Sequence, residues 1–195
     1  MTIWGDFGMG TRCEIIIYET NDEGEVTDKV ELWKHWDGYP DYVVEMIKEF
    51  GKFARKLARS QIHWLGYAQD VASMLIVYDY EDRKKFVEQL KPKDREFFLE
   101  MGFLKPDVRP RGFMEDAEYI YALVIEKETE KKPKLTWKLY IYDIYELTEK
   151  VPNFDCRKLR NYKHKWEFET DAKLGMCKAE KVFEIALNKL AAIVT

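Results

Sequence analysis

Residues 11–35 read TRCEIIIYETNDEGEVTDKVELWKH and contain the clearest strand signals of this chain. Two runs rich in β-branched and apolar residues flank the turn signal Asn21-Asp-Glu-Gly24. This pattern predicts two strands joined as an antiparallel hairpin. One face of that hairpin carries the predicted core residues Cys13, Ile15, Ile17, Val30 and Leu32.

Two pairing registers of the hairpin keep these core residues on one face. One register pairs Arg12 with Trp33, and the other pairs Arg12 with Glu31 and Glu14 with Lys29. We favour the second register, because opposite charges that face each other across two strands stabilise the pairing.

The rest of the chain mixes helix and strand patterns. Apolar residues recur at spacings of three and four where helices are predicted. These helices cover 40–59, 70–79, 81–100 with a break at Pro92, and 176–193. Alternating apolar residues predict a second hairpin over 117–126 and 135–146, and a short fifth strand around Trp166 and Phe168. Residues 101–115 contain two prolines and predict a loop.

Strands and helices do not alternate one for one along the chain, which favours an α+β fold. We expect an antiparallel sheet of about four to five strands, built from two hairpins, with helices packed mainly on one face. A length of 195 residues suits a single domain over 1–195.

Composition narrows the class of protein. Charged residues make up 35% of the chain, and only three of the 195 residues are glutamine. This balance is typical of proteins from hot environments. The net charge of −4 argues against binding of polyanions by bulk charge. Three widely spaced cysteines without a CxxC pair indicate a reducing compartment. With no signal-peptide pattern and no long apolar run, we expect a cytoplasmic protein without a membrane span.

Two segments stand out as a candidate ligand site, namely Met9-Gly-Thr-Arg12 and His35-Trp-Asp-Gly-Tyr-Pro40. The hairpin brings both to the same edge of the sheet, where the first helix begins. A helix N-terminus attracts anions, a guanidinium offers two parallel donors, and an imidazole exchanges protons near neutral pH. The candidate ligand-binding residues are Arg12, His35, Trp36, Asp37 and Tyr39.

These segments resemble a family of uncharacterised prokaryotic and phage proteins. Its members open with a Met-Gly-Thr-Arg strand, which stands here at 9–12 rather than at the first residue. They then show a Tyr-x-His-Trp-Asp-Gly-Tyr-Pro-like segment before a helix, of which this chain has the last six residues at 35–40, preceded by Leu32-Trp-Lys34. The resemblance is close over residues 9–50 and looser to about 145. It implies a family-like core over 9–150, to which 151–195 adds a C-terminal strand and helix. The family has no known function, so the resemblance implies fold and site location, not activity.

The same cluster also has a purely structural interpretation, in which it holds the hairpin against the first helix. Asp37 then caps the helix, Gly38 supplies a positive φ, Pro40 starts the helix, and Trp36 and Tyr39 pack.

An enzymatic interpretation makes His35 a general base that Asp37 orients. No GxSxG, HExxH or P-loop pattern accompanies the pair. The histidines His35, His63 and His164 lack metal-ligand spacing, so we expect neither a metal nor a cofactor.

A basic segment at 157–166 suggests nucleic acid as a further ligand. Its candidate binding residues are Arg157, Lys158, Arg160, Lys163 and Lys165, interleaved with two aromatic residues. Four more cations between Lys52 and Arg59 extend a basic groove if the two regions meet. Otherwise the segment is a solvated strand edge, where lysines prevent aggregation.

The leading hypothesis is a non-enzymatic binding or interaction protein, with a protein partner or a second copy as possible partners. The alternatives are a small hydrolase or transferase that uses His35 and Asp37, and a nucleic-acid-binding accessory protein of a mobile element.

Overall fold

A computed structural model describes residues 10–111, 116–128 and 134–186. The strands are β1 (Cys13–Thr20), β2 (Val26–Lys34), β3 (Val108–Pro110), β4 (Tyr119–Glu128), β5 (Lys134–Asp143) and β6 (Lys178–Ala186). The α-helices are α1 (Pro40–Ala58), α2 (Ala68–Gln89), α3 (Pro92–Glu100), α4 (Ile144–Lys150) and α5 (Lys165–Lys173). Two 3₁₀ helices cover Arg59–Gly66 and Cys156–Arg160. The predicted α+β class is therefore confirmed.

The described strands form one sheet in the order β3-β2-β1-β4-β5-β6. Both predicted hairpins, β1–β2 and β4–β5, are antiparallel pairs. The sheet is nevertheless mixed, because β1 and β4 run parallel. It has six strands where four to five antiparallel strands were expected. Parallel neighbours need a long crossover between them, and the chain through β2, α1, α2 and α3 supplies it.

The β1–β2 hairpin adopts neither predicted register. Cys13 lies opposite Lys34, and Glu14 lies opposite Trp33. Every second register keeps the core residues on one face, so the hydrophobic pattern could not choose among them. The predicted cross-strand charge pairing is replaced by a distant partner, since Arg160 donates to the Glu14 carboxylate at 2.6 Å.

Helices cover both faces of the sheet, although they were expected mainly on one. On the first face, α1, α2 and the first 3₁₀ helix pack on the strands. This core includes Ile15, Ile17, Leu32, Ile47, Phe50, Leu75, Leu123 and Trp137. On the second face, α4, the second 3₁₀ helix and α5 cover a smaller core. It includes Ile16, Tyr18, Ile120, Tyr140, Tyr142, Leu159, Tyr162 and Phe168.

The C-terminal part reverses the predicted order of strand and helix. Trp166 and Phe168 lie in helix α5, which begins with a capping box between His164 and Glu167. Only one face of that segment is buried, with Phe168 inside and Trp166 exposed. The expected helix over 176–193 is instead strand β6 up to Ala186, and the remainder lies outside the described residues.

Strand β6 shows why the helical spacing misled. Its buried residues Phe183 and Ile185 are two positions apart, and the charged residues around them face outward at the sheet edge. The predicted loop at 101–115 likewise contains a strand, β3, although its residues 112–115 lie outside the described ranges. The predicted helices around Pro92 are confirmed, because α2 ends at Gln89 and α3 begins at Pro92.

No helix within the described ranges combines the length and the apolar composition that crossing a bilayer requires.

Candidate functional site

The hairpin brings Arg12 and His35 together at one edge of the sheet. Continuing the observed register one residue beyond Cys13 and Lys34 places Arg12 opposite His35. The Arg12 guanidinium forms an ion pair with Asp116, and both side chains are about a third to a half exposed.

The His35 ring lies in a row of three aromatic rings. Its centroid is 4.9 Å from that of Trp33 and 4.7 Å from that of Trp36. Its Nδ1 atom is buried and has no hydrogen-bond partner in the part of the chain that the structure describes. Buried polar atoms without partners are uncommon, and they cluster at functional sites.

Burial lowers the pKa of His35 below its usual value, because it disfavours the charged imidazolium. The positive charges of Arg12, Arg109 and Lys34 lower this pKa further, while Asp107 opposes them. His35 is therefore an imidazole that is kept neutral among cations.

Arg109 on β3 and Arg111 just after it lie against Trp33. The guanidinium carbons of Arg109 and Arg111 are 5.5 Å and 5.2 Å from the centroid of the Trp33 ring. Trp33 is only 6% exposed, and its Nε1 atom has no partner among the described residues. Both arginines are exposed, and neither forms an ion pair within the described ranges. We call Arg12, Trp33, His35, Arg109 and Arg111 the arginine–tryptophan cluster.

The sequence pattern did not single out Arg109 and Arg111, because they fell in a predicted loop. The available signal was their spacing, since residues two apart on a strand point to the same face. The pairing of β2 with β3 then places Arg109 directly opposite Trp33.

The other three candidate residues lie beside the cluster without joining it. Trp36 is 44% exposed and packs on Gly10, where an added Cβ would lie 2.8 Å from the indole. Asp37 and Tyr39 are exposed. The Asp37 side chain makes no hydrogen bond with any described residue, so it does not orient His35.

The backbone of the motif differs from the structural interpretation at two positions. Asp37 adopts the positive φ of 52°, where Gly38 was expected to do so. Gly38 is needed instead for close approach, because an added Cβ would lie 2.7 Å from the Thr11 carbonyl oxygen. The Gly38 N–H donates to that oxygen at 2.9 Å, and the Tyr121 hydroxyl donates to the Gly38 carbonyl at 2.7 Å.

Beneath the motif lies a set of buried charges that we call the Asp107 network. Lys34 donates to Asp107 at 2.6 Å, and both side chains are almost fully buried. The same Asp107 oxygen accepts the Trp36 backbone N–H at 3.1 Å and lies 3.3 Å from Arg83. Asp79 accepts the Asp107 N–H at 2.5 Å. The network joins β2, α2 and the start of β3, and these segments are too distant in sequence for spacing to reveal it.

The basic segment at 157–166 is largely neutralised by carboxylates. Its ion pairs are Arg160–Glu14 at 2.6 Å, Lys158–Asp171 at 3.2 Å and Lys165–Glu126 at 3.0 Å. Arg160 is 4% exposed and faces inward. Arg157 and Lys163 are exposed, and neither is ion-paired within the described ranges.

The two predicted basic regions lie on opposite faces of the sheet. The exposed cations Arg55 and Lys56 end helix α1, which packs on the first core. The second 3₁₀ helix packs on the second core through Leu159. The single groove that would join them does not form.

These features define a cationic, aromatic-lined sheet edge in an α+β protein. Comparisons of the chain with family models, with curated proteins and with solved structures found no match. Over the described ranges, no group of three or more His, Cys, Asp or Glu side chains is placed to hold a metal ion. The function must therefore be argued from the site itself.

Proposed function

We propose that this chain is a binding protein whose arginine–tryptophan cluster takes an anionic ligand. One observation carries the proposal: Arg109 and Arg111 are both held against the Trp33 ring without a carboxylate partner in the described chain. Guanidinium groups present parallel N–H donors that match the oxygens of a phosphate or carboxylate.

The arrangement favours an oxyanion for electrostatic reasons. Arg12 and Arg109 act on the neutral imidazole of His35, and Arg111 lies with Arg109 against the Trp33 ring. Among the described residues, only Arg12 of these three arginines has a carboxylate partner, Asp116. Like charges held close together repel each other, and a bound anion converts that repulsion into attraction. Contact with the indole also removes water from one side of Arg109 and Arg111, which strengthens their interaction with an anion.

The geometry supports binding more strongly than catalysis. A general base at His35 needs a partner that fixes the ring, and Asp37 does not bond to it in this structure. Residues 10–12 and 35–40, which belong to the segments that resemble the prokaryotic and phage family, lie together at or beside the cluster, and on this ground we propose that the chain is a relative of that family.

We also propose a cytoplasmic location, on the basis of cysteine chemistry. Cys13, Cys156 and Cys177 are free thiols. Burial raises the pKa of Cys13 to about 12 and that of Cys177 to about 11, so both behave as apolar groups. Free thiols of this kind are typical of a reducing compartment.

The proposed function is tested by NMR titration of the chain's three histidines with inorganic phosphate. A bound anion favours the imidazolium form, so we expect phosphate to raise the low pKa of His35. The same titration is expected to leave His63 and His164 unchanged, because they lie outside the cluster.

Paired variants decide whether the shift belongs to the cluster. The double variant Arg109→Gln/Arg111→Gln is expected to abolish the phosphate-dependent shift of His35. The control Arg55→Gln/Lys56→Gln removes the same charge from exposed positions on α1 and is expected to retain the shift. If phosphate leaves the His35 pKa unchanged, or shifts it equally in both variants, the proposal fails.

A further inference from the structure

We infer that the anion bound at the cluster is the phosphodiester backbone of a single-stranded nucleic acid, an inference that rests on the proposed function. The strand would cross the second face of the sheet edge, with a base on Trp36 and phosphates on Arg109 and Arg111. Two features beyond the cluster point to a polymer: an exposed ring at one end and a further cation at the other.

The exposed ring belongs to the aromatic row. Trp33, His35 and Trp36 follow one another with ring centroids 4.9 Å and 4.7 Å apart. Trp33 is covered by the arginines, whereas Trp36 is 44% exposed. A half-exposed indole beside guanidiniums that have no ion-pair partner among the described residues is the combination that proteins use for single strands, where bases stack while the backbone follows positive charge.

The further cation lies on the second 3₁₀ helix. Arg160 pairs with Glu14, which is opposite Trp33 on β1. Lys29 donates to the Arg160 carbonyl at 2.6 Å, and this bond holds the helix against β2. Both contacts place the helix on the same face as the cluster. Arg157 on this helix is exposed and forms no ion pair with the described residues.

The spacing of the arginines suits successive groups of a polymer. Arg109 on β3 and Arg111 just after it are two residues apart in extended chain, so their backbone positions are about 7 Å apart. A small phosphate occupies one such position, whereas a chain of phosphates occupies both and continues toward Arg157. A duplex stacks its bases internally and offers no free base to Trp36, which favours a single strand.

The test is fluorescence anisotropy with labelled DNA and RNA single strands of about 12 nucleotides, within the usual site sizes. The matching duplex is measured in parallel, from about 50 to about 200 mM salt. We expect the single strands to bind more tightly than the duplex. The affinity should fall with salt by a logarithmic slope of about 0.7 for each phosphate contacted.

Four variants assign the contacts. Arg109→Gln/Arg111→Gln should reduce the salt slope by about 1.4, the sum for two phosphate contacts. Trp36→Ala should weaken binding about tenfold at every salt concentration, while Trp36→Phe should retain most of the affinity because it keeps a stacking surface. Arg157→Gln should reduce the slope by about 0.7.

Controls separate binding from folding. Arg55→Gln/Lys56→Gln removes two cations from the other face and should change neither the affinity nor the slope. Circular dichroism melts establish that each variant is folded. Trp36→Phe serves as the reference for any loss of packing against Gly10 in Trp36→Ala.

The outcomes distinguish this inference from the proposed function. If phosphate shifts the pKa of His35 but single strands fail to bind, or bind no better than the duplex, the proposed anion site is retained and the inference of a nucleic-acid ligand is wrong. That inference is also wrong if Trp36→Ala binds single strands as tightly as the unaltered protein does. If neither the binding of phosphate nor the binding of single strands depends on Arg109 and Arg111, both proposals fail.

Discussion

Two groups of charges lie on opposite faces of the sheet at the end of strand β2. Lys34 points to the first face, where it pairs with Asp107 away from water. Trp33 and His35 point to the second face, where Arg109 and Arg111 stay exposed and unpaired among the described residues. Charge alone therefore does not indicate a binding site. The partners of each charge distinguish the buried structural network from the exposed surface that we propose binds a ligand.

The two groups also differ in how their polar atoms are satisfied. In the Asp107 network, carboxylate oxygens accept from Lys34, the Trp36 backbone and the Asp107 backbone. In the arginine–tryptophan cluster, the Trp33 Nε1 and His35 Nδ1 atoms lack partners within the described ranges. A satisfied network contributes to the folded state, whereas unsatisfied buried atoms lower its stability.

The largest expected effect is at the centre of the Asp107 network. Asp107→Asn keeps the shape of the side chain but removes its charge, which leaves Lys34 buried without compensation. We expect the free energy of unfolding to fall by about 3–5 kcal/mol, the usual cost of breaking a buried ion pair from one side. Urea denaturation followed by circular dichroism measures it.

Two further variants sharpen this measurement. Lys34→Met/Asp107→Asn removes both charges and is expected to recover part of the loss. Glu96→Gln, at an exposed position on α3, should change the free energy of unfolding by no more than about 0.5 kcal/mol. An Asp107→Asn variant as stable as Glu96→Gln would contradict a structural role for the network.

The sequence predicted the local elements better than their arrangement. The hairpins around Gly24 and between β4 and β5 follow from alternating apolar residues near a turn, which are local signals. The parallel pairing of β1 with β4 is a contact between distant segments. The sequence of neither strand indicated it. In the last fifty residues, the apolar spacing fits both a helix and a strand. Only the packing partners of Phe168 and Phe183 decide between the two.

The sequence predicted where the candidate site lies but not all of the residues that form it. Arg12 and His35 meet because any hairpin register brings their ends of β1 and β2 to one edge of the sheet. Arg109, Arg111 and Asp107 come from a segment near 101–115 that no periodic pattern tied to β2. Only the pairing of β3 with β2 shows that these charges belong to the same place.

A smaller effect is expected where the two groups share a backbone. Gly38→Ala places a Cβ 2.7 Å from the Thr11 carbonyl oxygen, so the backbone before Arg12 must shift. We expect a loss of about 1–3 kcal/mol in the free energy of unfolding, as for other overpacked positions. The phosphate-dependent shift of His35 should weaken as well, because Arg12 moves.

Gly51→Ala is the matched control for this substitution. The atoms nearest to its Cβ, inside helix α1, belong to Phe183 and to the Val182 carbonyl and lie at an ordinary 3.8 Å. Since alanine favours a helix by up to about 1 kcal/mol, this variant should be as stable as the unaltered protein or more so. If Gly38→Ala is equally harmless, the contact between the motif and β1 is looser than the structure indicates.

The smallest effect on stability is expected from the substitution with the largest effect on binding. Arg109→Gln/Arg111→Gln removes two contacts with the Trp33 ring, each worth about 0.5–1 kcal/mol at an exposed site. It also removes the repulsion between two guanidiniums whose backbone positions are about 7 Å apart, and two charges at that separation repel by about 0.6 kcal/mol in water. These opposing contributions leave a net loss of about 0.4–1.4 kcal/mol in the free energy of unfolding.

Arg160→Gln is compared with that double variant, because Arg160 is a buried arginine on the same face of the sheet. The substitution removes the cation that pairs with Glu14. A loss of about 3 kcal/mol or more is expected there. Both variants are measured by urea denaturation in phosphate-free buffer, since a bound anion would itself stabilise the unaltered protein. Should the exposed pair prove as costly to remove as Arg160, Arg109 and Arg111 hold the fold together, and the distinction between the two faces of β2 is lost.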